Sequence, residues 1–564
     1  MKFETFEYKR PVLAEVKESF TQALNTFMEA ENVKMQGQAM NEINTLRNSV
    51  NSMFALCSIR HSVDTTDSFY KTEMDYVDEV GPELEDLESQ FYQALVSSPF
   101  RKELEAEYGS QLFALADAQL KTFSPEIIPL LQQENRLTTQ YSQLIASAKI
   151  DFEGEERTLA QLQPFTESSD RNIRKGASHA YFGFFEENEK QLDDIFDQLV
   201  KVRHEMALKL GYKNFVELGY YRMARTDYNA ENVANYRKQI KESVVPLVSK
   251  LMKRQANRLN LDHLTYYDET FEFQTGNAVP KGDADWIIEN GRKMYQELSP
   301  ETAEFFEFMI ENNLMDLVAK KGKEGGGYCS FIEDMQAPFI FSNFNGTSGD
   351  IDVLTHEAGH AFQVYSSRSF TVPEYYWPTF EAAEIHSMSM EFLTWPWMEL
   401  FFKEDTDKYK FSHLSGALTF LPYGVAVDEY QHFVYENPEA SPADRKQAWR
   451  DIEKIYLPNR DYEGQEFLEN GGYWQRQGHI YSTPFYYIDY TLAQLCAFQF
   501  WKRSIEGDET AWEDYIRLCK LGGSQSFLEL VESAHLVSPF DEGAVQSVTA
   551  VIDKWLSSID DEKL

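Results

Sequence analysis

What this chain lacks narrows its possibilities before any motif is considered. Nowhere in its 564 residues is there an uninterrupted apolar run of about 18 residues, so no membrane-spanning helix is expected. The opening residues, MKFETFEYKRP, contain no apolar signal core, and export by that route is not expected either. Cysteine is scarce. Cys57, Cys329, Cys496 and Cys519 lie far apart and form no CxxC pair, which fits reduced thiols in a cytoplasm and argues against a cysteine-based zinc site. Basic residues are few as well, 53 against 92 acidic, for a net charge of −39. Such a surface repels phosphate backbones and anionic lipid, so neither nucleic acid nor a membrane is expected as a partner. The glycines of Gly325–Gly327 are followed by no Lys-Ser or Lys-Thr pair and do not make a phosphate cradle.

What is present is mostly helical pattern. Leu13 to Ala30, Met35 to Ser58, Leu84 to Leu95, Leu112 to Thr122 and Ile127 to Lys149 carry apolar residues three and four apart among Glu, Gln and Lys. Ile150 to Leu159 alternates around Glu153-Gly154 and predicts a small hairpin. Helix resumes from Asp170 to Leu210, stops at Gly211 and continues to about Leu259. The texture then changes. Lys321 to Gly327 reads as a flexible loop, whereas Tyr328 to Ser330 and Pro338 to Asn345 are β-prone. Gly346 to Asp350 is a turn able to cap a helix, and helical pattern follows to the end. The expected fold is mainly α, with a small β-sheet beside one helix that carries the chemistry.

That helix contains THEAGHAFQ at 355–363. His356 and His360 are four apart and so project from one helical face, where two neutral imidazoles can share a zinc ion. Glu357 stands beside the first of them, able to take a proton from a water on the metal. A catalytic zinc needs a third protein ligand. The thermolysin spacing places it at Phe380, the related aminopeptidase spacing at Thr379, and the metzincin pattern requires residues other than Gln363 and Ser366, so all three fail. Downstream, FEAAEIHSMSMEFL at 380–393 is a good helix with Glu384 and Glu391 two turns apart on one face. Glu384 as ligand, with Glu391 orienting a ligand histidine from behind, is a workable geometry. Glu381 remains a rival, and His386 a weaker one.

The chain here resembles the thimet oligopeptidase and oligoendopeptidase F family of zinc peptidases. The resemblance rests on HExxH followed by Glu384-Ile-His-Ser387-Met-Ser-Met-Glu391, and on Pro338–Asn345 with Gly346-Thr347 and Asp352 ahead of His356. DEYQHFVYENP at 428–438 adds to it, and points to the oligoendopeptidase F branch. The resemblance implies zinc, one ion per chain, held by His356, His360 and Glu384, with Glu391 and Asp352 supporting from behind. It also implies a loop with one His and several Tyr facing the metal, and HIYSTPFYYIDY at 479–490 supplies it. His479 matches that pattern, as do Tyr486 and Tyr490, and Tyr487 falls among them with its phase open. Hydroxyl and imidazole groups so placed can donate to the oxyanion of peptide hydrolysis.

These readings define an expectation. The resemblance implies two helical lobes, 1–190 and a catalytic and C-terminal region 191–564, closing over a deep channel with the metal on its floor. The substrate is a short oligopeptide cut internally, its backbone pairing with the Phe339–Asn343 strand, where Phe339, Phe341 and Asn343 would meet it. The compartment is expected to be cytoplasmic, and the oligomeric state is left open. An exopeptidase, a scaffold with a dead site and a zinc hydrolase of non-peptide substrates are the competing readings.

Overall fold

The computed structural model describes residues 2–564. Helix accounts for 69% of the chain and strand for 4%, so the frame that positions the site is helical. Most amphipathic segments form helices close to where their pattern places them, at Leu13–Met28, Val33–Val63, Ser110–Gln119 and Ile128–Ala146. One outruns its pattern. Ser68–Val96 starts well before Leu84 and continues through Pro82, because Asp67 caps it strongly, accepting from the N–H groups of Phe69 and Tyr70 at 2.8 and 3.2 Å. The hairpin is present as β1 (Ile150–Phe152) and β2 (Glu155–Arg157), turning through Glu153 and Gly154, both at positive φ.

The second sheet has three strands, β3 (Met315–Val318), β4 (Tyr328–Ile332) and β5 (Ala337–Phe344), in the order β3-β5-β4. β3 pairs with β5 in parallel and β4 with β5 antiparallel, which places Tyr328 opposite Phe341 with their rings stacked 4.7 Å apart. This corrects the expectation for Phe339–Asn343. A strand with neighbours on both sides has no free backbone edge, so β5 cannot receive a substrate strand. Phe339 and Phe341 are buried in the core, and the Asn343 amide donates to the carbonyls of Glu324 and Gly326 (2.9 and 2.8 Å). The glycine loop before β4 is also less free than its composition suggests. The buried Lys323 ammonium reaches Asp316 Oδ1 (2.6 Å) and the carbonyls of Val318 and Ser342, and Glu324 is tied through N–H and carboxylate to Ser62.

The main core runs from Phe6 to Leu556, and a second cluster gathers Phe20 to Ala116 with Val372 and Tyr375. At the centre of the main core lies the HExxH helix, Gly349–Ser367, packed between β4 and β5 on one side and the helix Phe380–Leu393 on the other. Its start is fixed by Asp350, whose carboxylate accepts from the N–H groups of Asn345 and Gly346 at 2.8 and 2.9 Å, locking the end of β5 to the first helical turn. The two helices approach closely at Gly359, inside the motif itself. A Cβ there would lie 2.7 Å from both the His386 carbonyl oxygen and Ser387 Cα, so only glycine permits this backbone approach.

Gly359→Ala should therefore force the helices apart, lowering unfolding free energy by about 1–3 kcal/mol, the range for overpacking. Denaturant unfolding measures this, with Gly183→Ala as the control, since an added Cβ at that helical glycine meets nothing within 4 Å. Equal stability of the two variants would contradict the close approach.

Candidate metal centre and its surroundings

The packing of these two helices brings three ligand-type side chains to one point. The Nε2 atoms of His356 and His360 lie 3.2 and 3.3 Å from the same oxygen, Glu384 Oε2. Donor atoms of the three residues all fall within 4.8 Å of one another, the only such grouping of His, Cys, Asp and Glu among the described residues. Glu391 Oε1 holds His356 from behind, 2.7 Å from Nδ1. With its proton on that side, His356 turns a lone pair toward Glu384. Lone pairs and a carboxylate crowded in this way require a positive charge between them. Without one, the carboxylates draw a proton instead. Burial opposes charge on His356, but its hydrogen bonds to the Glu384 and Glu391 carboxylates outweigh it and hold the imidazole well above its ordinary range. Glu384 is correspondingly held well below the carboxylate range, its burial outweighed by the two histidines. Two nitrogens and one oxygen, with an outer carboxylate on one imidazole, suit a divalent metal.

The rivals for third ligand point elsewhere. Glu381 is fully buried, its oxygens have no hydrogen-bond partner, and burial together with the Asp489 charge pushes it toward the neutral form. His386 bonds the Ala382 carbonyl through Nδ1 (2.8 Å), and burial lowers its pKa to about 4. Glu357 lies within electrostatic reach of His356, His360 and Glu384. Its Oε1 lies against the glycine loop, 3.3 Å from where a Cβ of Gly327 would stand, and its buried Oε2 has no partner. Burial raises its pKa, with His356 and His360 opposing the shift. Asp352, one turn ahead of His356, does not touch a ligand. It accepts from the Tyr409 hydroxyl at 2.6 Å, and burial raises its pKa to about 6.

The 479–490 segment closes the other side. Tyr486 donates to Glu384 Oε1, the oxygen turned away from the histidines. Tyr490 Oη and His479 Nε2 are 3.0 Å apart, and Tyr487 packs against His479 and Phe420. The tautomer of His479 follows from its neighbours. The Tyr423 hydroxyl donates to Gln477 Oε1 (3.0 Å), leaving the amide nitrogen 2.8 Å from His479 Nδ1. An amide nitrogen only donates, so Nδ1 accepts and the ring proton sits on Nε2, facing Tyr490. Burial lowers the His479 pKa to about 4, which keeps the ring neutral, and raises Tyr490 well above the phenol range, which keeps its proton.

Sequence reasoning passed over several supporting residues. His413, which carries no paired spacing, accepts from Trp395 Nε1–H at 3.0 Å and donates from Nε2 to Glu391 Oε2 at 2.8 Å, completing a chain Trp395–His413–Glu391–His356. Phe485, directly before Tyr486, has φ +69°, a left-handed conformation strained for a bulky side chain. Gln431 Oε1 accepts its N–H (2.8 Å), and Arg225 Nη2 donates to its carbonyl (2.5 Å) and to Asp489 Oδ1 (2.8 Å). Its ring fills a pocket that exists because residue 219 is glycine: a Cβ there would stand 2.6 Å from the Phe485 ring. Gln431 lies in DEYQHFVYENP, so that segment braces the tyrosine loop, and His432 contributes by packing on the Phe485 ring. No local signal marks Arg225 or His413, since their partners are distant in the chain.

A helical body with an HExxH helix, completed by a glutamate from the next helix, has the build of a metallopeptidase centre. The chain belongs to peptidase family M3, whose pattern matches residues 165–278 and 295–549, with the M3 N-terminal domain matching 3–123. It is similar over its whole length to PZ peptidase A, solved with an inhibitor, at 64% identity, full coverage of both chains and a TM-score of 0.99. Among curated proteins it is 23% identical to the oligopeptidase PepF of Bacillus subtilis, over 75% of this chain and 67% of that one. It is also 23% identical to an oligoendopeptidase F homolog of Borreliella burgdorferi, over 64% of this chain, and that alignment spans about three fifths (61%) of the relative's length.

Purified protein should hold about one divalent metal per chain, the occupancy of a three-ligand site. Glu384→Gln should lose it and Glu381→Gln should keep it. Glu391→Gln and His413→Ala should weaken retention by about 10- to 100-fold, as loss of an outer hydrogen-bond partner does. Metal analysis after titration with a chelator reads all four; loss of metal in Glu381→Gln with retention in Glu384→Gln would reverse the assignment.

Proposed function

We propose that this chain is a zinc-dependent oligoendopeptidase that hydrolyses internal peptide bonds of short peptides. The observation that carries the reading is the convergence of His356, His360 and Glu384 on one point, with the Glu357 carboxylate left unpartnered beside it. Zinc suits this nitrogen- and oxygen-rich set, and when bound it supplies a Lewis acid that polarises a carbonyl and makes water a better nucleophile near neutral pH. Glu357 accepts the proton of the attacking water as its oxygen bonds to the carbonyl carbon. The C–N bond then breaks, and Glu357 delivers that proton to the leaving nitrogen. Burial favours this double role, because a raised pKa makes the carboxylate a better base and its conjugate acid a donor of matched strength. Tyr490 keeps its proton and donates it to the carbonyl oxygen as negative charge develops there, while the His479 Nε2–H, facing the Tyr490 oxygen, holds that hydroxyl in place. Tyr486, bonded to Glu384, holds that carboxylate in its orientation and stands next to Tyr490, the two rings 4.9 Å apart.

An extended peptide has an edge to pair with at β4, one of the two outer strands of the sheet and the one whose preceding Gly327 adjoins Glu357. Such pairing recognises backbone and tolerates varied sequence. The lobes 1–190 and 191–564 would flank this edge and restrict entry to unfolded strands. Unpaired cysteines throughout fit a cytoplasmic enzyme, and no helix among the described residues is long and apolar enough to cross a membrane.

Glu357→Gln should keep its metal and lose nearly all turnover, and Tyr490→Phe should lower kcat about 100- to 1,000-fold with little change in KM, as for an oxyanion donor. Steady-state kinetics on one quenched peptide with metal-loaded protein checks both; wild-type turnover in Glu357→Gln removes the base. The endopeptidase reading is tested with a peptide of about ten residues, one of about forty and a stable folded domain about 25 Å across, at equal concentration. The expected order is fast, slow and uncut, and mass spectrometry should show internal cleavage. Release of single terminal residues would make it an exopeptidase, and rapid cutting of the folded domain would remove the channel.

A further inference from the structure

The segment that leads into His479 carries a guanidinium without a counter-charge. Arg476 ends the short turn Tyr473–Arg476, directly before Gln477, whose amide orients His479. It is half-buried, and its Nε is buried without a hydrogen-bond partner. Among the described residues no carboxylate pairs with it, and the one acceptor close to it is the Tyr181 hydroxyl. Other arginines packed inside the protein are served differently. Arg203 holds Glu134 at 2.6 Å, Arg225 holds Asp489 at 2.8 Å, and Arg460 holds Glu269 at 2.6 Å. Arg460 is the closest comparison, because it lies on the same ring as Arg476. The two guanidinium carbons stand 4.5 and 4.4 Å from the centre of Tyr473, yet only Arg460 has been neutralised.

The surroundings of Arg476 are phenols, and most of their hydroxyls are free to donate. Tyr423, 5.9 Å from the guanidinium at its ring centre, spends its proton on Gln477. The hydroxyls of Tyr473 and Tyr487 make no hydrogen bond to any described residue, and Tyr181, even where it accepts from Arg476, keeps its own proton to give. Tyr487 also lines the cavity beside His356 and packs against the His479 ring at 5.3 Å, which ties this group to the catalytic floor. From Arg476 the rings of Tyr423, Tyr487 and Tyr490 follow one another at 5.9, 5.7 and 5.5 Å. The guanidinium therefore stands within about five extended residues of Tyr490. Donors are assembled here with no anionic acceptor among them. Water fills that role in the free protein, but a neutral ligand that expelled the water would leave a charge unmatched.

We propose that Arg476, with the hydroxyls of Tyr181, Tyr473 and Tyr487, anchors a carboxylate of the peptide. The proposal rests on the peptidase reading above and adds a specificity to it. Of two peptides cut at the same bond, the one with a carboxylate within about five residues of that bond is held more tightly. A guanidinium offers two parallel N–H groups that match the two oxygens of a carboxylate, and the phenols donate to the lone pairs that remain. A C-terminal carboxylate and an acidic side chain share this chemistry, and the ligands of the test separate them.

Binding is measured by titration calorimetry on zinc-loaded Glu357→Gln protein, so that turnover does not interfere. The reference ligand is a cleavable peptide with a C-terminal carboxamide and no acidic residue. Its relatives carry either a free C-terminal carboxylate, or glutamate in place of glutamine at one position at a time on each side of the scissile bond. One of these acids should bind about 10- to 100-fold more tightly than its amide, the range for charge-assisted hydrogen bonds. Adding Arg476→Gln should bring that ratio to within about threefold and leave the reference peptide's affinity unchanged within the same factor. Adding Arg476→Lys, which keeps the charge without the fork, should give a ratio between the two. Thermal unfolding confirms that each variant is folded. Equal binding of every acid and its amide overturns the anchor without recourse to any Arg476 variant. So does an acid preference that survives Arg476→Gln, or a loss for the reference peptide as large as for the acid, which would make Arg476 a packing residue. Hydrolysis of the reference peptide by the wild type is scored separately, so failure of the anchor and failure of the peptidase reading give different results.

Discussion

The approach of two helical backbones at Gly359 is the constraint on which the site depends. His356 and His360 are positioned by one helix alone, and any regular helix carrying the motif would present them in the same way. Glu384 belongs to a different helix, and its carboxylate meets both imidazoles only because nothing but a hydrogen stands between Gly359 and the backbone of His386–Ser387. The glycine inside the motif thus sets the distance between two pieces of secondary structure, a distance on which the donor set depends. It also explains why the Phe380–Leu393 helix is buried nearly all round: it is enclosed by the HExxH helix, the 487–505 helix and the helices near the C-terminus.

Burying so many ionisable groups in one place is expensive unless each has a partner, and the arrangement outward from the centre follows from that. Trp395 donates to His413 and His413 to Glu391, and this carboxylate, which accepts from both sides, fixes the proton on the outer nitrogen of His356. On the other side Tyr423 and Gln477 fix the proton of His479 by the same logic. In each case a residue that cannot change its donor or acceptor role, the indole N–H or an amide oriented by a tyrosine, stands at the end of the line and decides the tautomers before it. Two carboxylates near the centre are left without hydrogen-bond partners: Glu357, beside the ligands, and Glu381, which burial pushes toward its neutral form.

The sequence disclosed those parts of this structure that are local. Helical periodicity placed most of the helices, and the four-residue spacing of two histidines and seven-residue spacing of two glutamates located the centre, because a helix converts such spacings directly into shared faces. His413 and Arg225 were illegible for the complementary reason. Their partners lie at Glu391 and Asp489, and nothing in the neighbourhood of either residue signals a contact made through the fold. The misreading of β5 has a different origin. Branched and aromatic residues mark a strand but not its place in a sheet, and a run buried on both faces reads the same whether its edges are open or paired. The edge positions belong instead to β3 and β4, shorter strands on either side of a glycine-rich loop.

Phe485 and Gly219 form a pair whose significance extends to how this sequence can vary. The strained backbone of Phe485 would be relieved by glycine, but the ring would then leave a void beside residue 219. A side chain at 219 would in turn need the space the ring occupies. Either change alone is penalised, and the two together exchange one filled volume for another while freeing the turn before Tyr486. Among related sequences these positions should therefore drift in concert, with a small residue at one accompanied by a large one at the other, a correlation between sites 266 residues apart set by nothing more than a shared pocket.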